Sequence, residues 1–513
     1  MDSSQALRTP TAESALHLLL DELEGRLEEA DAFYAEAQWR HHLGRTNPDE
    51  LGKLELARSA LLLDKRVRET LSRWNGRSRN TSLARRATLL YRRFRWAEIE
   101  SLPEIYGLRN RIDRTMVAFC PYDVQRGKMV SRAERNDTLR RHPDRARRRD
   151  AWLATASLSA QVEDDVRELM RRRGRMAREL GYDGFVSWSL DVLGLSRSWV
   201  EALFDDLCHL TDAPYRAWLV ESARQLSLEG GLRPWDLAFA VEKTTALPDE
   251  AFPRDGLLPA ARSVADGLGL GKEAAGVRVD TADVPYAALC YAVRPPDDVR
   301  ILLNPRDGHF YYRVLFHEFG HALHRRCLRT ASPALRHESP LFDEAMACLW
   351  ERLAWEPDWL VGHNGIPADH TSDLKGFWAR RMVYRLRMLM AQAVFEYRAY
   401  EDLDGDLLKL YQDTCGEYLG VSFDQAPGWA GSPFWTSHPM YLQNYVVAEV
   451  VASQTLVALR RRFGRLIGEP EVGAWLAENY YAPGGLLAWS DKIVRATGAP
   501  LSSADLISEL TSG

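Results

Sequence analysis

Two histidines four residues apart, with a glutamate directly after the first, stand out as a set able to do chemistry: His317-Glu318-Phe319-Gly320-His321. On an α-helix, positions i and i+4 share one face about one turn apart, so both imidazoles can converge on a single metal ion. Glu318 lies beside the first ligand, where a carboxylate can take a proton from a water on that ion. The flanking Val314, Leu315, Phe316, Phe319, Ala322 and Leu323 mark the helix as buried, and unpaired polar side chains are costly there. A catalytic zinc needs a third protein ligand and an open position. His324 shares the face but lies two turns, about 10 Å, beyond His317, which places it beside the site as a supporting or otherwise satisfied histidine. The longer zinc motif with a glycine and a third histidine is excluded, because His324 and Cys327 occupy those positions. The third ligand is expected from the next helical segment, 340–355. There Phe342, Ala345, Met346, Leu349 and Leu353 form an apolar stripe, while Glu344, Cys348 and Glu351 take another face. Glu344 is the first choice. Asp343, Glu338 and His337 are rivals, and Glu351 reads as a surface acid or a supporting group.

The elements that must position these residues are mostly helices. From Ser14 to about Ala240 apolar residues recur at three- and four-residue steps, as in Leu16, Leu20, Leu23 and Leu27, with helix stops at Asn47-Pro48, His142-Pro143 and Gly230-Gly231. The proline- and glycine-rich passage from Leu247 to Gly271 reads as a loop and as the best boundary, giving an N-terminal helical region, 1–245, and a catalytic region, 246–513. The clearest β signal is a hairpin, Tyr286 to Arg294 and Val299 to Pro305, joined by Pro295-Pro296-Asp297-Asp298 just ahead of the histidine helix. A loop is expected near 361–367. The fold class is therefore mainly α with one small sheet.

Composition narrows the partners. At 513 residues, with 46% hydrophobic and 27% charged, the chain can bury a large core, and a net charge of −5 gives it no basic field for nucleic acid or an anionic membrane. The arginine runs Arg147 to Arg149 and Arg171 to Arg173 read as solvated helix faces paired with nearby acids. The most apolar stretch, Tyr445 to Leu459, is interrupted by Glu449, Ser453 and Gln454, too short for a membrane span. Six scattered cysteines without a CxxC pair, and an N-terminus lacking a signal-type apolar run, predict a reduced, cytoplasmic protein.

The run LFHEFGHALHRRC followed by FDEA resembles the glutamate-zincin metallopeptidases of the thimet oligopeptidase, neurolysin and oligoendopeptidase family, and more distantly the angiotensin-converting-enzyme family. Pro234-Trp235-Asp236, the strand pair and HPMYLQNYVVAEVV fall in the same order, so the resemblance runs from about Leu190 to the end. It implies a bilobal helical spheroid split by a deep channel, with zinc on its floor and access limited to short peptides. His317, His321 and Glu344 match the zinc ligands and Glu318 the general base. The family's oxyanion donor points to His438, Tyr441 and Tyr445, with Tyr445 preferred, although Pro439 to Asn444 replace the family's glycine-rich segment. The resemblance also implies that the first hairpin strand, Ala288 to Ala292 and including Cys290, pairs with the substrate backbone. Thr436 and Ser437 stand where dipeptide-releasing relatives carry a lysine, which favours endo-type cleavage.

The leading reading is a zinc-dependent oligopeptidase acting on short peptides. Two others use the same residues: a non-haem iron redox enzyme, since two histidines and a carboxylate also suit Fe(II), and a peptide-binding protein without turnover. Oligomeric state is left open.

Overall fold

A computed structural model of the chain describes residues 12–45, 48–77, 81–124, 126–245, 247–284, 286–364, 366–367 and 373–511. It is 72% helical with two small sheets, the mainly α class the periodicity predicts. The first eleven residues, Asn47 and Gly365, where a leader, a helix stop and a loop were considered, lie outside the described residues. Among the described residues no helix is long and apolar enough to cross a membrane.

The first helix, Ala12–His42, buries Leu16, Leu20, Leu23 and Leu27 on one stripe. They pack with Leu83, Leu90 and Phe94 of helix Thr81–Glu100 as a core of their own. The main core runs from Ile99 to Leu510 and is continuous across residue 245. Within the passage expected as a loop, Leu257–Gly267 is a helix that buries Leu257, Ala260, Ala261, Val264 and Ala265. Pro259 falls in its first turn, where a missing N–H costs nothing, so the proline marks a helix start.

The arginine runs also differ from the expectation of solvated faces. Arg148 is fully buried, with Nη2 donating to Asp236 Oδ1 at 2.7 Å. Arg173 is fully buried too, forked onto both oxygens of Glu100 at 2.7 Å and bonded to the Trp435 and Thr436 carbonyls. Arg172 keeps the expected pairing with a nearby acid, Glu168, whereas Arg171 pairs with the distant Asp404. A single guanidinium with five donors can satisfy a buried carboxylate and loop carbonyls together, which makes such a buried pair tolerable.

A short antiparallel pair, β1 (Tyr122–Asp123) and β2 (Lys128–Met129), was not anticipated. The main sheet has three strands: β3 (Arg278–Thr281), β4 (Ala288–Arg294) and β5 (Asp298–Leu303). β5 is central, parallel to β3 and antiparallel to β4, with Cys290 opposite Ile301 and Ala288 opposite Leu303. The hairpin was legible from its alternation; four-residue β3 was not. β4 is an edge strand, braced by the first helix through Trp39, whose ring meets Tyr291 edge-on at 5.2 Å.

From β5 the chain enters the helix His309–Arg326, and the next long helix is Pro340–Leu353. Gly320 sets how closely these two helices approach. A Cβ there would stand 2.7 Å from Ala347 Cα and from the Met346 carbonyl oxygen, so only glycine permits the contact.

Candidate active site

The close helix contact turns His317, His321 and Glu344 toward one point. One donor atom from each lies within 4.8 Å of the other two. Glu344 Oε2 is 3.4 Å from His317 Nε2 and 3.8 Å from His321 Nε2. That oxygen is buried and accepts no hydrogen bond. Two imidazole nitrogens and an orphaned carboxylate oxygen facing one another fit a divalent cation, with the two-histidine, one-carboxylate donor set of an open catalytic site.

Acids also face the far sides of the two imidazoles. His317 Nδ1 lies 3.4 Å from Glu351 Oε2 and His321 Nδ1 lies 3.7 Å from Asp343 Oδ2, within reach of charge attraction although neither nitrogen makes a hydrogen bond. Glu351 is held in turn by Arg313 at 2.5 Å and Arg385 at 3.1 Å, and Arg385 also reaches Glu449 at 3.3 Å. Asp343 is held by Arg325 at 2.8 Å. Burial opposes a charge on His317, but the Glu344 and Glu351 carboxylates outweigh it and push the pKa up to about 10. His321 is raised as well, against its burial, by Asp343 and Glu344. Carboxylates outnumber imidazoles here, so the centre favours positive charge.

The rival ligands are engaged elsewhere. His324 is fully buried between Asp343 and Glu338, 3.2 Å from each, as a satisfied supporting histidine. Glu338 also takes Lys492 Nζ at 2.5 Å, and His337 faces Asp31 at 3.5 Å. Glu351 supports His317 and is no surface acid, being 9% exposed.

No protein-family model matches the chain, and neither does any curated protein. Solved structures do. A carboxypeptidase from Deinococcus radiodurans superimposes over 97% of this chain and 98% of its own at TM-score 0.66 and 15% identity. A putative oligoendopeptidase F covers 98% and 92% at TM-score 0.74 and 18% identity. A Pyrococcus furiosus carboxypeptidase covers 98% and 99% at TM-score 0.68 and 14% identity. The chain has the fold of these peptidases.

The remaining candidates gather around the same centre. Glu318 is buried, which raises its pKa, while His317, His321 and the nearby Cys290 backbone N–H pull the other way. The edge strand β4 thus abuts Glu318. Burial raises the Cys290 thiol well above its ordinary value, with the Glu318 and Asp343 charges adding to the effect, so it is no nucleophile. Ala288 is buried under the sheet, whereas Leu289 is 39% exposed. Tyr441 donates its hydroxyl to Glu344 Oε1 at 2.7 Å. Tyr445 lies one helical turn on, ring centroids 5.4 Å apart, and its hydroxyl has no hydrogen-bond partner among the described residues. His438 is exposed and lines a cavity beside this centre, 6.0 Å from the Tyr441 ring, and desolvation by the protein around it lowers its pKa. Thr436 and Ser437 both donate to Asp113, at 3.1 and 2.6 Å.

Sequence reasoning missed the arginines behind the ligands. Arg313 lies four residues before His317, on its helical face, which is a usable signal; Arg385 and Arg325 carried none without the fold.

Proposed function

We propose that the protein is a zinc-dependent oligopeptidase that hydrolyses short peptides. The observation that carries this reading is the convergence of His317 Nε2, His321 Nε2 and the unpartnered Glu344 Oε2 beside the buried carboxylate of Glu318. The likeness to solved carboxypeptidases and an oligoendopeptidase along nearly the whole chain supports it. When bound, zinc supplies Lewis acidity to the scissile carbonyl and makes a water acidic at neutral pH. Glu318 takes the proton of the attacking water and hands it to the leaving amine. The free Tyr445 hydroxyl donates to the oxyanion, while Tyr441 holds Glu344 in its ligating orientation. His438 lines the substrate side of the cleft, and the edge of β4 from Ala288 to Cys290 guides the peptide backbone past Glu318. Helices before residue 246 form the opposite wall. Six free cysteines suit a reducing cytoplasm.

Glu318→Gln keeps the shape and the ligands and removes the base. Hydrolysis is expected to fall by about 10²–10⁴-fold with bound metal unchanged. Full activity in that variant would refute the mechanism.

A further inference from the structure

A cavity of about 580 Å³ adjoins the metal centre and is bounded on that side by Pro340, His438 and Tyr441. That volume is in the range that holds a small ligand, roughly 300–1,000 Å³. Its far wall carries five arginines, Arg58, Arg85, Arg92, Arg93 and Arg109. Three have acids of their own. Arg58 and Arg93 share Asp31, at 2.6 and 2.8 Å, and Arg109 binds Glu55 at 2.5 Å.

Arg85 and Arg92 do not. No carboxylate lies within ion-pair distance of either among the described residues. They stand two turns apart on helix Thr81–Glu100 and therefore share a face. Arg85 lines the cavity and is anchored by Nε to the Gly485 carbonyl at 2.6 Å, with no hydrogen bond from its terminal nitrogens among the described residues. The Arg92 guanidinium is seated against Gly194, where a Cβ would come within 2.6 Å of Nη2. Burial lowers the pKa of both, and Arg92 lowers that of Arg85 further. Of the acids within electrostatic reach, Glu338 is engaged by Lys492 and His324 and Asp191 by Tyr182, while Asp491, which acts on Arg85, is exposed to solvent and forms no ion pair with it. Two desolvated, mutually repelling guanidinium groups facing a cavity are costly unless an anion joins them. Trp96 and Leu89 supply apolar wall beside them.

We propose that Arg85 and Arg92 bind a carboxylate of the substrate, so that the cleft selects peptides carrying negative charge at the end that enters this cavity. The ligand's being a peptide rests on the oligopeptidase reading; the anion site itself does not. The carboxylate has two sources, the peptide's C-terminus or an acidic side chain.

The test is binding to the full-length, zinc-loaded Glu318→Gln protein, read by fluorescence anisotropy without turnover. The probes are one labelled hexapeptide in three forms: neutral with a free C-terminal acid, neutral and amidated, and amidated with one glutamate side chain. At least one charged form is expected to bind about tenfold or more tightly than the neutral amide, a charge-assisted contact's worth. Preference for the free acid assigns the site to the C-terminus; preference for the glutamate form assigns it to a side chain. Arg92→Gln and Arg85→Gln should each remove most of that advantage, and Arg92→Lys should restore part of it, with melting temperatures confirming that the variants fold. Equal affinity for all three forms, no binding of any, or an advantage that survives both glutamine substitutions would overturn the proposal. Cleavage by the unsubstituted protein is read separately. Charge-selective binding without cleavage keeps the arginine site and refutes the peptidase reading, and cleavage indifferent to charge does the reverse.

Discussion

Tyr441 and Tyr445 present the same side chain to the same centre and differ in what their hydroxyls already bind. Tyr441 is engaged with Glu344 Oε1, whereas Tyr445 is free to donate to a substrate. Tyr445→Phe should therefore lower kcat by about 10²–10³-fold with little change in KM, as loss of an oxyanion donor does. Tyr441→Phe should instead weaken metal affinity, by about 10–100-fold, since it releases a ligand's orienting contact. Steady-state kinetics at saturating zinc, together with competition against a chelator, separate the two effects. A matched loss in both variants would contradict the division of roles. The spacing HPMYLQNY brought both tyrosines into view but could not rank them, because their difference lies in a partner, Glu344, about a hundred residues away in sequence.

A second residue at this scale sets a pH dependence. Glu396 is fully buried, accepts from the Met440 N–H at 2.9 Å, and has its other oxygen unpartnered. Burial pushes its carboxyl up to about 8, against the lowering effect of that N–H and Arg173. Its folded pKa thus lies above its ordinary value of 4.5. Between those values the folded protein holds a proton that the unfolded chain releases, so stability falls as pH rises through that window. Glu396→Gln keeps an acceptor for Met440, whose φ of 54° already strains the loop before Tyr441. The variant should melt higher than the parent at pH 9 and about equally at pH 5; the opposite trend in thermal melts would show that Glu396 is ionised in the fold.

At the scale of elements, the proposed metal site is a consequence of two helices touching through a glycine. His309–Arg326 carries the two histidines and Pro340–Leu353 the glutamate that would hold the ion, and Gly320 lets them meet. Gly320→Ala would press a methyl onto backbone atoms of the second helix that have nowhere to go. It should cost about 1–3 kcal/mol, as overpacking does, and separate Glu344 from the histidines. Denaturant unfolding and zinc affinity should both decline; normal affinity would mean that the helices are positioned by something else. The HExxH spacing and the stripe on 340–355 made these helices and their three convergent residues legible. Whether Glu351 supported the site or faced solvent was not, because amphipathic periodicity gives a face and not the neighbour on it. The helix Leu257–Gly267 was obscured by a proline that in fact begins it. β3 was too short to show an alternation.

The whole molecule joins residues that the chain keeps far apart. Arg173, from the N-terminal half, is buried against Glu100 and holds the carbonyls of Trp435 and Thr436 just ahead of His438. The mainly α class follows from helical periodicity and a single strong hairpin. Buried guanidinium groups such as Arg148 and Arg173 could not be distinguished from their solvated neighbours, since local sequence does not say which arginine meets a buried acid. With the likeness to solved peptidases running nearly end to end, the deciding property is whether this assembled centre cleaves peptide bonds with a metal. The direct measurement is metal content of the purified protein together with mass-spectrometric cleavage of a mixed short-peptide library, with and without chelator. One zinc per chain, and cleavage that chelator abolishes and zinc restores, is the predicted result. Zinc-loaded protein that cleaves no member of the library, or cleavage unaffected by complete metal removal, would contradict it.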